Sequence, residues 1–198
     1  ATVPKGFSAV SNGVLLHKKS VSGKSQFHWK MEHPHSHYLI SLAAGRFTEV
    51  KDNWENIPVQ YYCEKGREQD ARRAFGKTPA MMDFFSKKIG VRYPYEKYAQ
   101  VAVAKYPGGM ENTTCTTQTD AALIDARAAL DTDFDGLVAH ELAHQWFGDL
   151  LTCKDWSHAW LNEGFATYFE VLFTEHDKGT DEALYELWKY GKSYFSED

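Results

Sequence analysis

The segment His140-Glu141-Leu142-Ala143-His144 constrains the fold of this chain more than any other, because it places two imidazoles four residues apart. On an α-helix, residues at this spacing lie on the same face, one turn apart, so both rings can point at one ion. Neutral imidazole nitrogens are ordinary ligands of zinc, which accepts tetrahedral nitrogen and oxygen ligation. The spacing therefore predicts a helix that carries two ligands of a metal ion.

The residues around these histidines predict a helix over roughly 133–147. Thr132 and Asp135 resemble a capping box at its beginning, and Gly148 can end it. Apolar residues recur at helical spacing, at Phe134, Val138, Leu142 and Trp146. We therefore expect the two histidines to lie on a helix that also packs against a core.

A third ligand candidate, Glu163, follows His144 by nineteen residues, near the start of the next predicted helix. Two histidines and one glutamate leave the fourth position of a tetrahedral ion open to water, as in catalytic zinc sites. The ion lowers the pKa of that water towards about 7 and polarises a bound carbonyl. Glu141 adjoins a ligand and can reach the water, so we predict that it is the general base. The sequence thus predicts one Zn²⁺, held by His140, His144 and Glu163.

Composition excludes several classes of protein without indicating a function. The chain has 22 Lys and Arg against 27 Asp and Glu, a formal charge of −5, and no basic block typical of nucleic-acid binding. No apolar run approaches the roughly eighteen residues of a membrane span. Cys63, Cys115 and Cys153 are odd in number and widely spaced, so they predict no disulfide framework. For the compartment we favour the cytoplasm, with the periplasm or secretion as alternatives, and nothing indicates the oligomeric state.

Hydrophobic patterning divides the 198 residues into a β-rich first part, up to about residue 50, and a second part that mixes strands with helices. The first part contains a candidate strand at 38–42. Further strands are expected at 58–63, 98–104 and 113–119. Helices are expected at 70–75, 80–88, 133–147, 162–176 and 180–195. This order of elements predicts an α+β fold with a mixed sheet followed by helices that carry the metal site.

A second motif follows the buried strand at 98–104 and consists of Gly108, Gly109, Met110, Glu111 and Asn112. The two glycines permit close approach of another backbone, and the carboxylate of Glu111 would then lie beside an extended ligand. In isolation, however, two glycines after Pro107 usually indicate just a turn. The motif gains its meaning only together with the histidine segment.

Together the two motifs resemble those of the M1 family of zinc aminopeptidases, which combine Gly-x-Met-Glu-Asn with His-Glu-x-x-His and, after eighteen residues, Glu. The segments 160–164, 93–95 and 11–13 are also similar to the family. The resemblance implies that residues 51–198 form a thermolysin-like (gluzincin) catalytic domain, incomplete at its C-terminal end. Residues 1–50 would be the last strands of an N-terminal β domain. Most of that domain, and the family's C-terminal domain, would then lie outside this chain.

The resemblance implies an enzyme that removes single amino acids from peptides with a free N-terminus. In the family, the glutamate that matches Glu111 holds the substrate's α-amine, and the backbone of residues 108–112 lines the substrate. A tyrosine that stabilises the oxyanion is expected beyond residue 198, and we assign that role to none of Tyr185, Tyr190 and Tyr194. Two alternatives stay open: a catalytically impaired, zinc-bearing module that binds peptides, or an epoxide hydrolase acting at the same zinc.

Overall fold

A computed structural model describes residues 1–196 of the chain. The last two residues of the predicted second unit, 197 and 198, lie outside the described residues. The described part combines strands in the first two thirds with helices that dominate the last third. The predicted α+β class is therefore confirmed. None of the described helices has the length and apolar character that a membrane-spanning segment requires.

The first part of the chain forms two small antiparallel sheets. Their strands are β1 (Thr2–Pro4), β2 (Ser8–Ser11), β3 (Val14–Val21), β4 (Lys24–Lys30) and β5 (Leu42–Gly45). One sheet has the order β1-β4-β3, and the other pairs β2 with β5. These strands precede the larger sheet, which begins with a strand at Phe47.

The prediction of a strand at 38–42 is wrong. His37–Leu39 form a short 3₁₀ helix, and β5 begins only at Leu42. The N–H of Ile40 donates to the carbonyl of His37, and the N–H of Ser41 donates to the side chain of Asn12. Because these two donors are already used, this stretch does not form a strand ladder.

A mixed five-stranded sheet forms the centre of the second part. Its strands are β6 (Phe47–Trp54), β7 (Ile57–Glu64), β8 (Tyr98–Val103), β9 (Gly109–Met110) and β10 (Cys115–Thr119). The order is β6-β7-β8-β10-β9, with β8 parallel to both of its neighbours and β9 antiparallel to β10. The second motif therefore supplies the strand at one edge of this sheet. The predicted division into two domains at residue 50, which falls within β6, stays a prediction.

Five α-helices are described: α1 (Glu68–Phe75), α2 (Thr78–Ile89), α3 (Asp135–Ala143), α4 (Trp160–Lys178) and α5 (Thr180–Tyr194). The main core lies between the sheet and helices α1 to α4 and is built around large buried side chains such as Phe85, Tyr98, Leu142 and Trp146. Burial of several such side chains, each contributing about 1.5–3 kcal/mol, fixes α3 against the sheet. The helix that carries His140 and is followed by His144 is thus held from its apolar side.

The prediction of a capping box at the start of α3 is wrong. The helix also ends at Ala143, earlier than the expected end near residue 147. No side chain caps its N-terminus, and the carboxylate of Asp135 instead accepts a hydrogen bond from Lys77 at 2.8 Å. Beyond Ala143 the chain tightens, since Gln145 and Trp146 each donate their N–H three residues back. Gly148 follows at φ 133°, a conformation that L side chains rarely adopt.

Candidate active site

Three side chains from α3 and α4 converge at one point. His140 lies in α3, His144 directly follows it, and Glu163 lies in the first turn of α4. The two Nε2 atoms are 3.1 Å apart, and Oε2 of Glu163 is 3.3 Å from each of them. Ligands of a tetrahedral ion with bonds of 2.0–2.1 Å lie roughly 3.3 Å from one another. The triangle therefore fits a zinc ion.

The pKa values of these groups show that the cluster stabilises positive charge. Burial by itself lowers the pKa of His140, but hydrogen bonds to Glu163 and Glu170 outweigh it and raise the pKa to about 10. Hydrogen bonds from both histidines hold the pKa of Glu163 well below its ordinary value. Protons on the imidazoles or a divalent cation between neutral imidazoles can supply that positive charge. The donor set thus has the chemistry of a cation site as well as its geometry.

Outer partners fix the orientation of both imidazoles. Nδ1 of His144 lies 2.9 Å from the carbonyl oxygen of Phe147, and Nδ1 of His140 lies 3.5 Å from Oε2 of Glu170. Tyr190 donates its hydroxyl to the other oxygen of Glu170 at 2.9 Å. Such contacts to the second nitrogen are usual for metal-binding histidines, because they direct Nε2 at the ion.

Glu141 belongs to α3, and its carboxylate lies against Gly109 of the edge strand β9. Its side chain is buried, and burial raises its pKa to about 7. Its atom Oε2 is buried without a hydrogen-bond partner among residues 1–196. A Cβ atom added to Gly109 would clash with Oε1 of Glu141. The carboxylate therefore has room at this position only because residue 109 has no side chain. An unpaired buried carboxylate oxygen is costly unless a ligand uses it, which makes Glu141 a candidate functional group.

The second motif forms the sheet edge next to this carboxylate. Met110 pairs with Thr117 and Gly109 with Gln118, and among the described residues no strand pairs with the other side of β9. Glu111 follows directly and is largely buried. The pKa of Glu141 is raised mainly by burial and is lowered by His140 and His144. The charge of Glu111 raises it further. The carboxylate of Glu111 is therefore within electrostatic reach of Glu141 and of the candidate ligand His144.

Comparison with known proteins agrees with this geometry. A family model described as the Peptidase family M1 domain matches residues 73–198, which is more than half of the chain. This chain belongs to peptidase family M1. The family expected from the two motifs is thus confirmed, and both motifs lie within the matched residues of this M1 chain.

Several curated relatives are similar to the M1 chain. Aminopeptidase M1 of Arabidopsis thaliana is 33% identical over 202 residues, covering 98% of this chain and 22% of the plant protein. Aminopeptidase 2 of Candida albicans is 35% identical, covering 82% and 17% respectively. Leucyl aminopeptidase of Saccharolobus solfataricus is 32% identical, covering 84% and 22%. The M1 chain spans about one fifth of the length of these relatives.

The sequence alone did not reveal several side chains that surround the site of this M1 chain. The hydroxyl of Tyr38 lies 3.4 Å from Nδ2 of Asn162, the residue before Glu163. Burial raises the pKa of Tyr106, and the charges of Glu141 and Glu111 add to it. No spacing rule links these tyrosines to the histidines, because they come from elements far away in sequence.

Two buried polar residues that follow the histidine segment within five residues were also missed. Asp149 is buried, and this burial raises its pKa well above the ordinary value. Gln145 is fully buried and bonds to the backbone of the second motif. A polar residue beside a ligand on the core side of a helix is a signal that could have identified Gln145.

Proposed function

We propose that this chain carries the catalytic centre of a zinc-dependent aminopeptidase, which removes N-terminal amino acids from peptides. The observation that carries the proposal is the ligand triangle of His140, His144 and Glu163 beside an open sheet edge. Relatives that are named aminopeptidases support the same reaction class. We further propose that the sheet and helices have the thermolysin-like arrangement implied by the two motifs.

In this proposal, His140, His144 and Glu163 hold one Zn²⁺. When bound, the ion would act as a Lewis acid that lowers the pKa of a bound water to about 7 and polarises the substrate carbonyl. Glu141 accepts a proton from the attacking water and passes it to the leaving nitrogen. Its free Oε2 and its pKa of about 7 suit a group that must take up and release a proton near neutral pH.

Glu111 binds the α-ammonium of the substrate. An N-terminal amine with a pKa of about 7.7–8.0 is mostly charged at neutral pH, and a carboxylate makes a charge-assisted hydrogen bond to it. The edge strand β9 offers backbone groups to the peptide main chain, independently of its side chains. Holding the amine at one distance from the ligand triangle presents the first peptide bond for cleavage, which is the property of an exopeptidase.

The test uses the 198-residue chain and, if it belongs to a longer polypeptide, that polypeptide as well. We expect zinc-loaded protein to hydrolyse an aminoacyl p-nitroanilide and to lose this activity with a zinc chelator. Glu141→Gln should lower kcat by about 10²–10⁴-fold, the usual contribution of a general base, while the zinc content stays unchanged. Glu175→Gln, an exposed substitution on α4, serves as the matched control.

Three outcomes would contradict parts of this proposal. Activity that survives both the chelator and Glu141→Gln would exclude a zinc hydrolase. Equal hydrolysis of the free and the N-acetylated substrate would exclude recognition of the α-amine. Binding of zinc and peptide without any turnover would make the chain a peptide-binding module instead.

A further inference from the structure

Gln145 connects the metal site to the second motif. It directly follows the ligand His144, and its side chain is fully buried. Its Nε2 donates to the carbonyl oxygen of Glu111 at 3.0 Å, and its Oε1 accepts from the N–H of Thr114 at 2.9 Å. Both polar ends of one side chain thus bond to a single four-residue stretch of backbone.

A carboxamide is suited to this contact. It has a donor and an acceptor on the same planar group, whereas a carboxylate only accepts and an ammonium only donates. Because Glu111 offers a carbonyl and Thr114 an N–H, Gln145 pairs with the stretch 111–114 much as a neighbouring strand would. The stretch is thereby tied to the residue next to a metal ligand.

The far end of this stretch is anchored independently. Thr114 has a positive φ of 64°, which is uncommon outside glycine. Its Oγ1 accepts from the N–H of Gly13 at 2.7 Å, and its carbonyl accepts from Ala99 N at 2.9 Å and from Lys97 Nζ at 3.0 Å. Thr114 therefore joins the sheet to the N-terminal strands, and Gln145 joins both to the metal site.

We infer that Gln145 is a positioning residue that sets the distance between the metal ligands and the carboxylate of Glu111. This inference rests on the proposed function, in which that distance selects the first peptide bond for cleavage. Gln145 acts through the backbone of Glu111 and not by contact with the substrate. Its loss should therefore weaken recognition of the α-amine more than it weakens metal binding.

The principal variant is Gln145→Met, which keeps the length of the side chain and removes both hydrogen bonds to the stretch 111–114, together with the longer one that Oε1 accepts from the hydroxyl of Tyr93 at 3.4 Å. Gln100→Met is the matched control, since Gln100 is equally buried and bonds to Thr78 and Gln118 in the core. Both are compared with the unsubstituted protein for kcat and KM on an aminoacyl p-nitroanilide and its N-acetyl derivative, and for zinc content. Hydrogen exchange of the amides at 110–114 gives a readout that does not depend on activity.

For Gln145→Met we expect kcat/KM on the free-amine substrate to fall by about 10–100-fold, since a misplacement of about 1 Å costs about 100-fold. The preference for the free amine over the acetylated substrate should fall with it. The zinc content should stay unchanged, and exchange at 110–114 should be faster than in Gln100→Met. If Gln145→Met does not fold, Gln145→Glu, which keeps an acceptor for Thr114, should change preference and exchange in the same direction.

The outcomes separate this inference from the proposed function. An unsubstituted protein that hydrolyses neither substrate contradicts the proposed function. An active protein in which Gln145→Met and Gln100→Met show the same preference for the free amine overturns the role of Gln145 alone. Equal exchange at 110–114 in the two variants overturns the structural link itself.

Discussion

The ligand triangle and the stretch that carries Glu111 are held in place in different ways. His140 and His144 owe their proximity to the repeat of one helix, and Glu163 comes from the first turn of the next. Glu111 instead lies beside a two-residue strand. The backbone after it is fixed by side chains remote in sequence, among them Asn12, which donates to the carbonyl of Thr113 at 2.7 Å.

Because of this difference between the two halves of the candidate site, we expect that a substitution can disrupt the ligand triangle without disrupting the stretch that carries Glu111, and the reverse. In the proposed function, metal binding depends on the helical spacing of the two histidines and on outer partners such as Glu170, which lies on the next α-helix. In the same proposal, recognition of the amine depends on long-range hydrogen bonds that meet at residues 111–114. Substitutions can therefore be chosen to disturb one half while the other serves as an internal control.

The largest effect should come from removing a ligand. We expect His144→Ala to lower zinc affinity by more than the 10–100-fold that loss of an outer partner costs, because a direct bond to the ion is lost. Activity should disappear with the metal, while the strands around Glu111 stay folded. Competition with a chromophoric chelator measures the affinity, and His28→Ala, on the exposed face of β4, is the control. Unchanged zinc affinity in His144→Ala would refute the ligand triangle.

A smaller effect should follow from Gly109→Ala, which tests the contact between the two halves. The added methyl group would lie 2.2 Å from Oε1 of Glu141 and must displace that carboxylate. We expect kcat to fall by about 100-fold, the cost of misplacing a catalytic group by about 1 Å, with unchanged zinc affinity. Gly191→Ala, where the new methyl group meets open space on α5, should leave kcat unchanged. If Gly109→Ala also has normal kcat, Glu141 is not held by this contact.

The smallest effect concerns Lys97, which anchors Thr114. Burial lowers the pKa of Lys97 to about 8, although Cys115 and Glu96 act in the opposite direction. The unfolded lysine titrates near 10.4, so between about pH 8 and 10.4 the unfolded chain binds more protons and the free energy of unfolding rises with pH. The increment is at most about 1.4 kcal/mol per pH unit, and it is lost as the pH falls through 8.

Urea denaturation of the protein and of Lys97→Met at pH 7.5, 8.5 and 9.5 measures this increment. The difference in unfolding free energy between the two should rise with pH in favour of the unsubstituted protein. Taking the difference cancels the titration of groups that both proteins share. A difference independent of pH would show that the amine of Lys97 titrates as it does in water.

The same contrast explains which parts of the fold and of the candidate site could be predicted from the sequence. Positions 140 and 144 come together because a helix repeats every 3.6 residues, so their neighbourhood could be predicted from spacing alone. The α+β class and most element positions follow from hydrophobic patterning in the same way. The predictions that were wrong concern places where a long-range hydrogen bond replaces a local one. Asp135 pairs with Lys77 instead of capping α3. Ser41 donates to Asn12 instead of extending a strand.

Gln145 illustrates the same limit within the candidate site. Its neighbours along the chain indicate only a buried position on a helix that packs against a core. That its amide meets Glu111 and Thr114, more than thirty residues earlier, depends on the order of strands in the sheet. Such pairings arise from tertiary packing and leave no periodic pattern in the sequence.

The shortness of β9 has a consequence for solubility. An exposed sheet edge offers unpaired backbone groups to any extended chain, including another copy of the same protein, and proteins commonly restrain this by keeping edge strands short. With only Gly109 and Met110 in the ladder, this edge offers few such groups. In the proposed function this edge pairs with the end of one peptide, but it offers very few backbone groups to a growing intermolecular sheet.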